Sequence, residues 1–155
     1  MKLLSPSFAD KARIPSVYTM PAVGGKNVSP ALTWSGLPDG TKSLALLVVD
    51  PHPVARNWVH WLVVDIPPHI RELPEGASGR SMPNGARELI NSFGNRGYGG
   101  PQPPTGTGDH PYVFTLYALS VAQIDIGPRP SAKDFHEAIQ GHVLASATLT
   151  GYFGR

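Results

Sequence analysis

Apolar residues in this chain come in short unbroken runs, with little of the three-to-four spacing of an amphipathic helix. Ser43–Val49 (SLALLVV) and Trp58–Ile66 (WVHWLVVDI) are the densest of these runs. Continuous apolar runs of this length predict strands covered on both faces. Pro51 and the pair Pro67-Pro68 stop them, because proline cannot donate to a ladder. Shorter runs predict strands at Leu3–Phe8, Leu32–Ser35, Tyr112–Leu119 and Ala145–Phe153. Pro38-Asp39-Gly40 reads as a turn, with proline presetting φ and glycine taking the positive-φ position. Only Ser131–Val143 has helical spacing, in Phe135, Ala138, Ile139 and His142, and Ser131 with Asp134 resembles a capping box. Arg71–Gly100 is polar, glycine-rich and irregular. The pattern predicts a mostly β domain, two packed sheets or a distorted barrel with Greek-key-like connections and one or two short helices.

Polar residues interrupt these runs at particular places. Asp50 ends the first, His60 sits inside the second, and His110 and Tyr112 open the third. Strict alternation puts Trp58, His60, Leu62 and Val64 on one face of their strand. A stiff loop, GNRGYGGPQPPTGTGDHPY from Gly94, delivers His110 and Tyr112. Pro101, Pro103 and Pro104 fix their own φ angles, and long ordered loops of this kind usually carry function. If the strand ends lie side by side, Asp50, His60, His110 and Tyr112 share one cleft.

Four chemistries could use such a cluster. Two histidines and a carboxylate can ligate iron or zinc, but no local ligand spacing is present. An Asp-His pair can serve a hydrolase, but there is no Gly-x-Ser-x-Gly and no cysteine to supply a nucleophile. An aspartate-held histidine can receive an anion, with backbone N–H groups of Gly94–Gly108 as a nest. Lastly, the cluster can be a buried polar group satisfied within the core. His142 reads as a packing residue of the helix, and His52 and His69, next to prolines, read as exposed.

Composition narrows the choice. At 155 residues the chain is long enough for one domain, 1–155, with a real core. A net charge of +2 with no Lys/Arg block gives no nucleic-acid signature. The absence of cysteine excludes disulfides and thiolate metal sites. No apolar run approaches transmembrane length and no signal-peptide core is visible, so a cytoplasmic protein is expected.

Four blocks, in order, resemble the phosphatidylethanolamine-binding proteins, in particular the small bacterial Raf-kinase-inhibitor-like branch. They are NVSPALTWSGLPDGTKSLALLVVDP (Asn27–Pro51), WVHWLVVDIP (Trp58–Pro67), GNRGYGGPQPPTGTGDHPYVFTLYAL (Gly94–Leu119) and GHVLASATLTGYFGR (Gly141–Arg155). The resemblance implies a two-sheet antiparallel β-fold and a small pocket for anions and phosphorylated head groups. Carried over by motif, the pocket comprises Asp50, His60, Pro104, His110 and Tyr112, with Gly100 and Trp58 as neighbours. One departure stands out. The family pattern Asp-Pro-Asp-Ala-Pro reads here Asp50-Pro51-His52-Pro53, which replaces a carboxylate by His52 and shortens the segment. Met20 stands where related chains often carry cysteine, a packing change.

The expectation is a binding protein without catalysis, metal or cofactor. Its ligand would be a small anion such as phosphate, a carboxylate or a phosphorylethanolamine-like head group. His60, His110, the Tyr112 hydroxyl and amides near Gly100 would donate, and Asp50 would orient a histidine. Binding would strengthen as pH falls through the usual histidine pKa near 6.5. The alternative is a kinase- or protease-inhibitor-like module docking an unnamed protein through residues 94–110. A homodimer is compatible with the sequence, which does not fix the oligomeric state.

Overall fold

The computed structural model describes Met1–Arg155. Eight strands form two antiparallel sheets. A three-stranded sheet has the order β1-β2-β5, from Lys2–Leu4, Leu32–Ser35 and Glu72–Leu73. A five-stranded sheet has the order β6-β4-β3-β7-β8. Its members are Ser43–Asp50 (β3), Trp58–Ile66 (β4), Arg87–Glu88 (β6), His110–Leu119 (β7) and Val143–Phe153 (β8). One α-helix, Ala132–Ile139 (α1), and two single 3-10 turns complete the chain.

The continuous apolar runs follow from burial on both faces of the large sheet. Leu44, Leu46 and Val48 of β3 face the small sheet, among Leu3, Leu32, Trp34 and Leu73. Ala45 and Leu47 face the opposite way, where Phe135 and Ile139 of α1 cover them. The helix is short of its expected extent. Ser131 caps it in a capping box with Asp134, but it ends at Ile139, and Gly141 at φ 84° turns the chain into β8. His142 therefore lies in the turn beyond the helix instead of packing within it.

Other boundaries shift for local reasons. β1 stops at Leu4, short of Phe8, because Pro6 cannot donate and Ser5 turns its hydroxyl to the Ala31 carbonyl (2.5 Å). β7 begins at His110, earlier than expected, and passes through Pro111. The proline is tolerated because β3, paired as far as Val49 with Val113, ends at Asp50.

β4 departs from strict alternation. Val48 pairs with Trp61 but Val49 pairs with Val59, so His60 is the extra residue of a β-bulge. Val59 consequently packs with Leu62 and Val64, while Trp61 and Val63 face the inter-sheet core. The expected grouping of His60 with Leu62 and Val64 is overturned: the bulge turns the imidazole toward Tyr112, with ring centroids 5.0 Å apart.

Candidate functional site

A cleft of about 230 Å³ opens where β3 ends, β4 bulges and β7 begins. Asp50, His60, His110 and Tyr112 line it, together with Trp58 and Pro104. Six of the seven residues singled out in the sequence thus meet at one place. The seventh does not: Gly100 is not part of the lining. Its N–H donates to Asn27 Oδ1 (2.8 Å), and a Cβ at this position would fall 2.1 Å from the Tyr18 carbonyl oxygen. Gly100 lets two backbone segments touch, and that is its role.

Asp50 is buried at the end of β3. Its Oδ1 accepts from the His52 N–H (2.9 Å) and its Oδ2 meets His110 Nδ1 (2.6 Å). Thr107 Oγ1 lies 2.7 Å from His110 Nε2 and donates to the Pro104 carbonyl (2.8 Å). His110 therefore has a partner at each ring nitrogen and no free one to offer a ligand. His52 is not exposed as expected. It is half-buried, and its ring stacks on His110 with centroids 3.9 Å apart.

His60 is held differently. Its Nδ1 lies 2.7 Å from the Gly99 carbonyl, which can only accept, so Nδ1 carries the proton. No protein group meets Nε2, which is left to the cleft. Burial depresses the pKa to about 4, against the opposing pull of the Gly99 carbonyl and the Asp50 charge. His60 is neutral at physiological pH, which overturns the expectation of a histidine that charges near 6.5. Burial, and secondarily the Asp50 charge, push the Tyr112 hydroxyl pKa upward, so it remains a protonated donor. That hydroxyl also has no protein partner.

Most amides of the expected backbone nest are spent elsewhere, and of the cleft-lining loop residues Gln102 keeps a backbone N–H without a protein acceptor. Gly94 donates to Asn91, Gly97 to Leu89, Gly99 to His60 and Gly106 to Arg155, all at backbone carbonyls. The loop is fixed in place by these bonds and by Arg155 Nε on the Pro103 carbonyl (2.6 Å).

Apolar groups make the cleft walls. Phe93 sets its edge against both Trp58 and His60, with centroids 5.5 Å apart in each pair. Val54, Ala55 and Pro103 complete the rim, with Gln102 as its one neutral polar side chain. Phe93, Val54 and the Gly99 carbonyl carry no signal in the sequence, because they belong to irregular segments. Thr107 is the exception, since it lies three residues before His110 in the same loop.

No group of three or more His, Cys, Asp or Glu side chains is placed to hold a metal ion. The model of the phosphatidylethanolamine-binding protein family matches residues 4–154. The chain belongs to that family. It is 43% identical to a UPF0098 protein of Methanothermobacter thermautotrophicus, covering 100% of this chain and 99% of that one. It is 38% identical to the UPF0098 protein YbhB of Escherichia coli, with 99% of each covered. The solved structure of Escherichia coli YbcL, a member of the mammalian PEBP family by its description, superposes with a TM-score of 0.92 at 34% identity. That match covers 99% of this chain and 98% of that one. The two-sheet architecture is thus the family fold, and His52 lies beside its cleft.

Proposed function

We propose that this protein binds small amphiphilic ligands whose head group, a phosphate or other anion, enters the cleft at His60 and Tyr112. One observation carries this reading: two polar groups without protein partners lie at the floor of a cleft whose walls are Trp58, Phe93, Val54 and Pro103. Such a combination, a few placed polar atoms within an apolar recess, is the general form of a small-molecule site. At about 230 Å³ the cleft takes a head group and a short apolar portion, and not a whole acyl chain. Each charge-assisted hydrogen bond contributes roughly 1.5–3 kcal/mol, and with few of them the affinity is micromolar to millimolar after ordering costs.

The proposal includes no catalytic step. No serine or cysteine lines the cleft, and the polar groups around His60 are the Gly99 and Gly100 backbone, Asp50 and His110. Residues Gln102 to Pro104 of the loop face the cleft, which favours the ligand reading over a protein-docking loop. No helix is long and apolar enough to cross a membrane, and a cytoplasmic site of action is part of the proposal.

The test is a heteronuclear NMR titration at pH 6 with O-phosphorylethanolamine, phosphate and acetate. Saturable shifts at Trp58, His60, Phe93 and Tyr112, lost in Trp58→Ala, are the expected result. Absence of saturable shifts with all three compounds would overturn the proposal.

A further inference from the structure

The cleft offers a head group a lone pair at its buried end as well as protons. Asp50 is an acceptor, and its carboxylate is bonded to His110 and to the His52 amide. His110 has both nitrogens engaged, by Asp50 and Thr107. The Gly99 and Gly100 amides turn away, to the His60 carbonyl and Asn27. No lysine or arginine lines the cleft. What remains for a ligand is the Tyr112 hydroxyl, the Trp58 indole N–H, the backbone N–H and side-chain amide of Gln102 at the rim, and Nε2 of His60. With Nδ1–H committed to the Gly99 carbonyl at 2.7 Å, Nε2 of the neutral ring presents a lone pair.

A fully ionised phosphate monoester fits this set poorly. Its oxygens only accept, and they would be set against the His60 lone pair with the Asp50 carboxylate nearby, in a partly desolvated recess where unmatched polar groups are costly. A monoanion that keeps one P–O–H fits. It has a proton for His60 Nε2 and an oxygen to accept from Tyr112.

We infer that the site selects the singly protonated form of its head group, a phosphate monoester monoanion that donates P–O–H to His60 Nε2 and accepts from the Tyr112 hydroxyl. The inference rests on the phosphate reading above and specifies its form. Acid then strengthens binding through the ligand's own proton. The titratable groups facing His60 are Asp50 of β3 and His110 and Tyr112 of β7. Burial keeps the His60 ring neutral down to about pH 4, below the second ionisation of a phosphate monoester near 6.

Four probes, three phosphorus acids or esters and the cation butylammonium, separate the possibilities by isothermal titration calorimetry between pH 5 and pH 8. Phenyl phosphate carries the titrating proton, and its aryl group suits the Trp58–Phe93 wall. Phenylphosphonate carries the same kind of proton but loses it at higher pH. Methyl phenyl phosphate is a monoanion throughout and has no P–O–H. The expected affinity of phenyl phosphate is flat at pH 5 and falls about tenfold per pH unit once its second proton is lost. The phenylphosphonate profile has its midpoint displaced upward by the difference between the two ligands' ionisations. Methyl phenyl phosphate binds at least about tenfold more weakly than phenyl phosphate at pH 5, the loss of one hydrogen bond. Tyr112→Phe weakens both titrating ligands without moving either midpoint.

Coincident midpoints for the two titrating ligands would assign the proton to the protein and overturn the inference, leaving the phosphate site intact. Equal binding of the diester would overturn it in the same way. Binding of butylammonium with no binding of phenyl phosphate would show that the lone pairs serve a cation, and would overturn this inference and the phosphate reading together. No binding by any probe at any pH would also overturn both.

Discussion

His52 stacks face to face on His110, with ring centroids 3.9 Å apart and planes 5° from parallel. The same residue reaches the site a second way, because its backbone N–H donates to Asp50 Oδ1 while its Nδ1 accepts from the Val54 N–H (3.2 Å). His52 thus braces both members of the buried Asp50–His110 pair and begins the turn that carries Val54 and Ala55 to the rim. The replacement of a carboxylate by imidazole at this position exchanges a negative charge for a flat surface against which His110 can lie.

Replacing that surface has a measurable consequence. His52→Ala keeps the backbone bond to Asp50 and removes the stack. The expected loss is about 1 kcal/mol in urea unfolding, the size of one aromatic pairing. The His110 ring resonances should broaden or shift in the same variant. Unchanged stability and unchanged His110 resonances would show the stack to be inert.

Asp50 is a stronger anchor. Asp50→Ala leaves His110 Nδ1 buried without an acceptor, and breaking a buried pair from one side costs about 3–5 kcal/mol. Chemical denaturation measures this directly. A loss below about 1 kcal/mol would mean that water replaces the carboxylate, and that the pair does not organise the site.

His60 makes the fold acid-sensitive. Its folded pKa, about 4, lies below the ordinary value of 6.5, so the unfolded chain binds the proton more readily. The stability associated with the neutral ring is complete above pH 6.5 and is lost as pH falls toward 4. Within that window His60 contributes a slope approaching ~1.4 kcal/mol per pH unit. His60→Asn places an amide near the Gly99 carbonyl and cannot titrate. Unfolding free energies from pH 4 to pH 7 should be flatter in this variant than in the wild type, and parallel curves would contradict the assignment.

Gly100 is required for space and not for ligand. A Cβ would fall 2.1 Å from the Tyr18 carbonyl oxygen and 3.0 Å from Thr19 Cα, both backbone atoms that cannot swing aside. Gly100→Ala should cost about 3 kcal/mol or more, with the thermal midpoint lowered accordingly. A near-neutral result would show that the Tyr18–Thr19 segment yields easily.

Much of this protein was determined by the chain alone. Ser43–Val49 and Trp58–Ile66 are apolar without alternation because both faces of the large sheet are covered, and burial of that kind is written residue by residue. The Ser131–Asp134 cap is equally local. Asp50, His60, His110 and Tyr112 were visible because polar side chains in or beside such runs need a reason. Tertiary structure decided what they do. The bulge that turns His60 into the cleft arises from pairing with β3, and strand register is a property of two segments. The Gly99 carbonyl that fixes the His60 proton lies 39 residues away and belongs to the backbone, which every residue shares and no side chain announces. Likewise several of the loop amides expected to receive an anion, those of Gly99, Gly100 and Gly106, are consumed by His60, Asn27 and Arg155 from distant parts of the chain. Residue types supplied the donors and acceptors; only the folded arrangement settled which of them are spent on the protein and which are left for a ligand, because hydrogen-bond partners across a fold are set by proximity in space and not by position in sequence.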